Sequence, residues 1–339
     1  MTTAPCEHDA WELLSRARQL TEPALRKAVD RLPERTRAVA EYHFGFRDEN
    51  GNPSAGDWGK GVRGALVLAS AQAMGVAAEQ AVTAAAGIEL VHNFSLLHDD
   101  LMDRDALRRG RRTVWSLFGD AQAVLTGDAL LVIAMEVLAE EPAMLQELCS
   151  ALLCLVAGQS EDCDFEQRTD VALTECLAMA AGKTAALLSS ACVLGAMAAH
   201  ASPARTNALR RFGHHLGLTF QLVDDLLGIW GHTAVSGKPV GADLRRRKKS
   251  LPVVAALSAD SAHAHRLAEL YRRSDEPMGE EEIGEAALLV ERAGGRAWAE
   301  QEAERQRTQA LAALAAADPA PEGAHALTLL AEAVTRRRW

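Results

Sequence analysis

Aromatic residues make up only 4% of the 339 positions, and valine-rich alternating runs are scarce. Strand signals are therefore too weak to support a sheet. The abundant alanine and leucine favour helix, where they lose little rotamer freedom. The six cysteines (Cys6, Cys149, Cys154, Cys163, Cys176, Cys192) form no CxxC pair and no zinc spacing. Five lie in mid-chain, mostly among apolar residues, and are expected as buried thiols in a reducing compartment. Basic charge is not in excess: the formal net charge is −10, which argues against nucleic-acid binding but leaves room for a local basic pocket. Apolar stretches are broken by Gly, Ser, Gln or Cys before the roughly 18–20 residues of a membrane span, so no transmembrane segment is expected. The first residues, MTTAPCEHDAWELL, carry no basic stretch followed by an apolar one. No signal peptide is expected, and the chain reads as cytoplasmic.

Neither an internal repeat nor a low-complexity linker divides the chain, and the Pro/Ala-rich segment 317–324 is a short connection. Periodicity predicts helix over 9–47, with breaks near Pro23 and Pro33, then a turn-rich loop over 48–61. Helices follow from Val62 to Gly75 and from Ala77 to Met102. Further helical patterns cover 120–138, 142–169, 174–200, 203–229, 250–273, 280–294, 296–316 and 322–337. Two aspartate motifs more than a hundred residues apart are expected to converge on one site. The expectation is therefore a single all-α domain over residues 1–339.

The first motif lies in GIELVHNFSLLHDDLMDRDALRRGRRTVW, residues 87–115. On a helix Asp99 and Asp103 fall one turn apart on the same side, where like charges repel. Four acids within seven residues (Asp99, Asp100, Asp103, Asp105) gain from a cation. Oxygen-only donors point to a hard divalent ion such as magnesium. The bland alternative is a solvated acidic helix end. Against it, the acids directly follow the apolar run FSLL and precede Arg108, Arg109, Arg111 and Arg112. Acids that hold metal beside arginines that fork onto phosphate oxygens make a metal–diphosphate site.

Upstream, Gly59-Lys60-Gly61-Val62-Arg63 sits where a loop enters a helix. Helix N-terminal amides and two cations suit an anion there, although alone the pattern is more often a solvated helix start. His92 lies seven residues before Asp99, about 10 Å along the same helical face. The second motif, in FQLVDDLLGIWGHTAVSGKPVGADLRRRKKSLP, pairs Asp224 with Asp225 and has Gln221 one turn earlier. The basic run Arg245–Lys249 that follows is either a solvated surface or a cover over the same phosphates. Ions held between two acidic helix ends would stabilise a departing diphosphate.

These segments, with LTGDALL, GQSEDCDFEQ and GKTAALL between them, resemble the trans-isoprenyl diphosphate synthases of the polyprenyl synthetase family over residues 40–310. Within that family the chain resembles geranylgeranyl diphosphate synthases. The resemblance implies an isoprenoid-synthase-type helical bundle around a cavity, and a homodimer. It implies that Lys60, Arg63, His92 and Arg109 hold isopentenyl diphosphate. Arg108, Lys183, Thr184, Gln221, Lys238 and Lys248 would contact the allylic diphosphate. Three magnesium ions would be ligated by Asp99, Asp103 and Asp224, with Asp100 and Asp225 in support. Catalysis would rest on Asp99, Asp103, Asp224, Lys183 and Lys238, with no protein nucleophile.

Two positions depart from the family pattern. Gly228 stands where the second motif usually has a third acid, and Arg247 stands where glycine usually precedes Lys248. The loss at Gly228 implies reduced metal affinity with activity retained. Product length is expected to depend on Phe94, five residues before Asp99, and on Ser95 and Ile88. Phe94 is about 140° round the helix from Asp99, and Ile88 about 16 Å deeper. The absence of an insertion in the first motif resembles twenty-carbon enzymes, with fifteen carbons as the alternative. Three rivals compete: a class I terpene cyclase on the same fold, a metal phosphohydrolase using His98 and Asp99, and a non-catalytic partner subunit.

Overall fold

The computed structural model describes residues 5–54, 58–231, 240–272 and 277–335. They group into two compact units. The first comprises Met1–Ser150, Ser190–Arg210 and Ala316–Leu330, the second Ala151–Ser189, Arg211–Ala315 and Ala331–Trp339.

In the first unit, helices α1 (Pro5–Val29), α2 (Glu34–His43) and α3 (Val62–Ala73) precede α4 (Val82–Met102). Helices α5 (Val114–Phe118) and α6 (Asp120–Val137) follow. Apart from its last turn, α4 is apolar on nearly every side, so it must be enclosed. It packs against α1, α3 and α6, with Ile88, Leu90, Val91 and Leu97 fully buried. The expected break at Pro23 does not occur: α1 runs through it. The proline forfeits one backbone bond, but Leu25, Ala28 and Val29 beyond it are buried, and packing of that stripe keeps the helix going. Pro33 does end the segment.

The second departure is a small hairpin, β1 (Leu107–Arg108) paired antiparallel with β2 (Arg111–Arg112). Arg109 and Gly110 between them both have positive φ, 53° and 72°. Those are the two central residues of a type I′ turn, which matches strand twist. Two residues per strand are too few to show as an alternating pattern.

The second unit is built from most of α7 (Pro142–Gln167), α8 (Leu173–Ala180), a π-helical turn at Ala181–Ala185 and only the first residues of α9 (Ala186–Ala198), the rest of which belongs to the first unit. To these it adds α10 (Pro203–Trp230) from Arg211 onward, α11 (Ala242–Arg245), α12 (Leu251–Leu257), α13 (Ala262–Arg272), α14 (Glu280–Arg292) and α15 (Gly295–Ala316). The last helix, α16 (Pro321–Thr335), belongs mainly to the first unit. The helix expected over 250–273 is two helices. Ser261 Oγ accepts the Ala264 amide at 3.1 Å and starts the second afresh. One apolar cluster includes Phe165, Met179, Leu222 and Leu226. Another includes Ile229, Val253, Leu267 and Leu289.

Two expectations need correction. Pro142–Gln167 and Leu173–Ala198 are long and apolar enough to cross a membrane by length and composition, because scattered Gly, Ser and Cys do not lower mean hydropathy enough. A core helix passes the same test, and Leu173–Ala198 is mostly buried. Of the free thiols, Cys176 and Cys192 are buried, Cys149 is half-buried, and Cys154 and Cys163 are exposed.

At Gly158 of α7 the backbones meet directly. A Cβ there would stand 2.3 Å from the Lys183 amide nitrogen and 2.8 Å from the Met179 carbonyl oxygen. Neither atom can swing away as a side chain could. Gly158→Ala should therefore lose about 2 kcal/mol of stability by overpacking, despite alanine's better helix propensity. A thermal melt checks this, and a melting point at or above wild type would contradict the contact.

Candidate active site

The acids of the first motif lie at the C-terminal end of α4. Asp103 caps it, with its amide bonded to the Asp99 carbonyl at 2.8 Å. A helix C-terminus already carries partial negative charge, so carboxylates there are doubly unfavourable without cations. The structure supplies them. Arg108, presented by the hairpin, forks onto buried Asp100 at 2.8 and 3.0 Å from Nε and 2.7 Å from Nη2. Burial pushes the Asp100 carboxyl up, and Arg108 pulls against it. Asp99 and Asp103 are half-buried.

Arg63 sits near Asp99 and Glu89. Burial pulls its guanidinium down to about 10, while those carboxylates favour its charge. Its Nε is buried without a hydrogen-bond partner among the described residues. The expectation that the N-terminal amides of α3 would bind an anion needs correction. The buried Glu89 carboxylate accepts the Gly64 amide at 2.7 Å and fills that role. The cations of that segment remain. Arg109 lays its guanidinium over Gly59, so close that a Cβ would stand 2.5 Å from Nη2. Gly59 also has φ of 109°, a second reason for glycine. Exposed Lys60 is next in the chain. His92 feels Arg63 and Arg109; burial and then these charges hold it well below its usual value, hence neutral. Arg63, His92 and Arg109 are thus brought together, with Lys60 next in the chain to the Gly59 that Arg109 covers.

Two residues not anticipated from sequence line the same place. Tyr42 and His43 share one cavity with Asp100, Arg108, Arg109 and Arg111. His43 bonds Asn93 Oδ1 at 3.0 Å, and Arg111 spans the Tyr42 ring at 4.4 Å. The only sequence signal for His43 is its place at the end of a helix beside a tyrosine.

In the second unit, Lys183 and Thr184 occupy the π-helical turn, a distortion that is frequent at functional sites. Lys183 Nζ bonds Asp162 Oδ2 at 2.6 Å, and Lys248 Nζ lies 3.7 Å from the same oxygen. Burial alone would raise the Asp162 carboxyl, but the two lysines hold it below the usual range. Asp162, within GQSED, is a further residue that sequence reasoning missed. Thr184 Oγ1 donates to Gln221 Oε1 at 2.5 Å, and Gln221 Nε2 donates to Asp225 Oδ1 at 2.7 Å. The Leu251 amide donates to Asp225 Oδ2 at 2.8 Å. Asp225 is therefore buried as an anchor for the start of α12, and burial pushes it up to about 7. Asp224, one residue back, is exposed. Lys238 lies outside the described residues.

No three His, Cys, Asp or Glu side chains gather into a metal cage among the described residues. Magnesium commonly binds through one or two carboxylates and completes its shell from waters and substrate phosphates. Asp99 and Asp103, oxygen donors one turn apart, fit that pattern.

The polyprenyl synthetase family model matches residues 52–288. This chain belongs to that family. It is 47% identical over 306 residues to the (2E,6E)-farnesyl diphosphate synthase of Mycobacterium tuberculosis, covering 88% of this chain and 85% of that one. It is 45% identical over 331 residues to the geranylgeranyl diphosphate synthase of the same organism, covering 96% and 93%. The crystal structure of a polyprenyl synthetase from Streptomyces coelicolor A3(2) matches with TM-score 0.90 at 48% identity, covering 95% and 98%. As a polyprenyl synthetase the chain is a short-chain trans-prenyltransferase with the all-α isoprenoid synthase fold. The phosphohydrolase alternative also fails on geometry. His98 Nε2 faces the Val124 carbonyl of α6 at 3.2 Å.

His43 gives a pH test. Burial, then Arg109 and Arg108, lower its value from 6.5 to about 3. Between those values the folded chain holds one proton fewer than the unfolded chain. Its share of stability is therefore present above about 6.5 and is lost as pH falls towards 3. His43→Gln should flatten the decline in melting temperature between pH 7 and pH 5; curves that stay parallel to wild type would contradict this.

Proposed function

We propose that this polyprenyl synthetase condenses isopentenyl diphosphate with an allylic diphosphate (dimethylallyl, geranyl or farnesyl) to give geranylgeranyl diphosphate. The observation that supports the anion sites is the buried Nε of Arg63, which has no hydrogen-bond partner among the described residues, with Arg109 close by. A buried donor without a partner costs about 1–3 kcal/mol, which a phosphate oxygen would recover. Lys60, Arg63, His92 and Arg109 hold isopentenyl diphosphate. Arg108, Lys183 and Lys248 orient the allylic diphosphate, together with Lys238. Thr184 and Gln221, already bonded to each other, act through the Asp225 anchor as well as towards substrate.

Asp99, Asp103 and Asp224 would ligate magnesium, three ions in all, with Asp100 and Asp225 in support. When bound, magnesium supplies electrophilic stabilisation of the departing diphosphate. The arginines and lysines neutralise the same charge. The allylic carbon–oxygen bond breaks, the isopentenyl double bond attacks that carbon, and a proton passes to the released diphosphate. Water must be excluded from the cation by apolar side chains. We further propose a cytoplasmic homodimer that joins through α6, where Val124, Leu125 and Val132 are 41%, 56% and 57% exposed.

For product length, Phe94 is buried and stacks edge-on against His98 at 4.8 Å, so its bulk is held in place. Ile88 is fully buried, and Ser95 Oγ is tied to the His92 carbonyl. Fifteen carbons is the second reading, favoured by the likeness to a farnesyl synthase.

Incubation with magnesium, isopentenyl diphosphate and each allylic primer, followed by chain-length analysis, tests the proposal. Condensation to a linear twenty-carbon product is expected; a cyclic hydrocarbon or no condensation would overturn it. Asp99→Ala and Asp224→Ala should each lower turnover about a hundredfold or more, because metal stabilisation is worth several kcal/mol. Unchanged turnover in Asp224→Ala would reject the second-motif site. Phe94→Ala should lengthen the products, and an unchanged profile would reject Phe94 as the cavity floor.

A further inference from the structure

Helix α2 ends against the hairpin that carries Arg108 and Arg109. Tyr42 Oη donates to the Arg112 carbonyl at 2.7 Å, and Arg111 Nη2 donates to the Tyr42 carbonyl at 2.8 Å. Both bonds tie strand β2 to the helix end, and neither acts on the turn at Arg109 and Gly110. His43, the last residue of α2, borders the same cavity as Arg109. Of the charges that act on its ring, Arg109 is the foremost.

The tautomer of His43 follows from its neighbours. Asn93 Nδ2 donates to the Glu89 carbonyl at 2.8 Å, a group that can only accept. The Asn93 amide is thereby oriented, and its Oδ1 faces His43 Nε2 at 3.0 Å. Nε2 must therefore carry the hydrogen. Burial, Arg109 and Arg108 keep the ring neutral, so Nδ1 keeps a lone pair. That is the form arginines need beside them, because a doubly protonated ring would offer them only donors. The cavity has a volume of about 20 Å³, room for about one water molecule. The lone pair can thus take an N–H of Arg109 directly or through a single water. The other side of the ring is fixed to α4, one residue beyond His92.

We propose that His43 is a positioning residue for isopentenyl diphosphate, with Nε2–H fixed to Asn93 and the Nδ1 lone pair orienting the Arg109 guanidinium. It acts through Arg109 and does not touch substrate. The inference rests on the function proposed above and deepens it, adding to that site a residue that none of the sequence motifs contains.

Steady-state kinetics on the full chain, with isopentenyl diphosphate and the allylic primer varied in turn, tests the role. His43→Leu removes both nitrogens and should raise KM for isopentenyl diphosphate roughly tenfold, the size of one hydrogen bond to a charged group. The kcat and the allylic KM should stay within about twofold, as when binding common to ground and transition state is lost. His43→Gln keeps an N–H for Asn93 and an oxygen acceptor, and should recover most of the loss. A merely structural role would instead lower the melting point and move kcat and both KM values together, with no rescue by glutamine. Independently of turnover, long-range proton–nitrogen correlation spectra should show His43 as the neutral Nε2–H tautomer near neutral pH, assigned by its loss in His43→Gln. An unchanged KM in His43→Leu, a joint shift of that kind, or the Nδ1–H tautomer overturns the inference and leaves the synthase reading standing. A wild-type chain that condenses no isopentenyl diphosphate overturns both.

Discussion

Negative charge concentrated at the C-terminal end of an apolar helix is the constraint on which the first unit depends. The enclosed body of α4 drives its burial, yet its last turn carries Asp99 and Asp100 and its cap is Asp103. Dipole and side chains repel there. The surroundings answer with fixed cations at three positions. Arg108 is locked onto Asp100 from a two-residue hairpin, Arg63 stands between Glu89 and Asp99, and Arg109 rests on the Gly59 loop. Glu89 in turn closes the N-terminus of α3, which fixes the segment carrying Lys60 and Arg63. The Gly64 amide, which might have met an anion, is consumed internally by Glu89.

The second unit solves a similar problem with different parts. Asp162 gathers Lys183 and Lys248, while Asp225 is spent on structure. It holds Gln221, which holds Thr184, and it receives the first amide of α12. A paired acid motif thus contains one exposed carboxylate, Asp224, and one buried carboxylate, Asp225. The same division appears in the first motif, where buried Asp100 is saturated by Arg108 and the flanking acids remain partly exposed. Adjacent acids on a helix point about 100° apart, so one of each pair faces outward while the other must be satisfied by the interior.

The helices and the acid motifs were legible in the sequence because periodicity and short spacing carry them, whereas the set Lys60, Arg63, His92 and Arg109 was implied only by the family resemblance. The anchoring roles were not legible. Glu89, His43 and Asp162 act on partners 25, 50 and 21 residues away, and nothing local distinguishes them from other buried or solvated polar residues. The hairpin escaped detection because its signal is the backbone of Arg109 and Gly110 rather than a pattern. Pro23 was over-read as a break, since packing of the following stripe outweighed a single lost hydrogen bond.

The departures at Gly228 and Arg247 illustrate the limit most directly. In sequence they are two unrelated irregularities nineteen residues apart, and Gly228 taken alone implies a weakened metal site. In the fold the missing volume at 228 and the Asp243 carboxylate are the same volume. The backbone at 247 shows why glycine is the ordinary choice there: φ is positive. An arginine can hold that conformation only if something compensates, and its bond to the Leu270 carbonyl does so. The segment that brings the Asp243 carboxylate against Gly228 is pinned from several sides. Contacts at Arg245, Arg247 and Lys248 hold that carboxylate where a larger residue at 228 would have to stand.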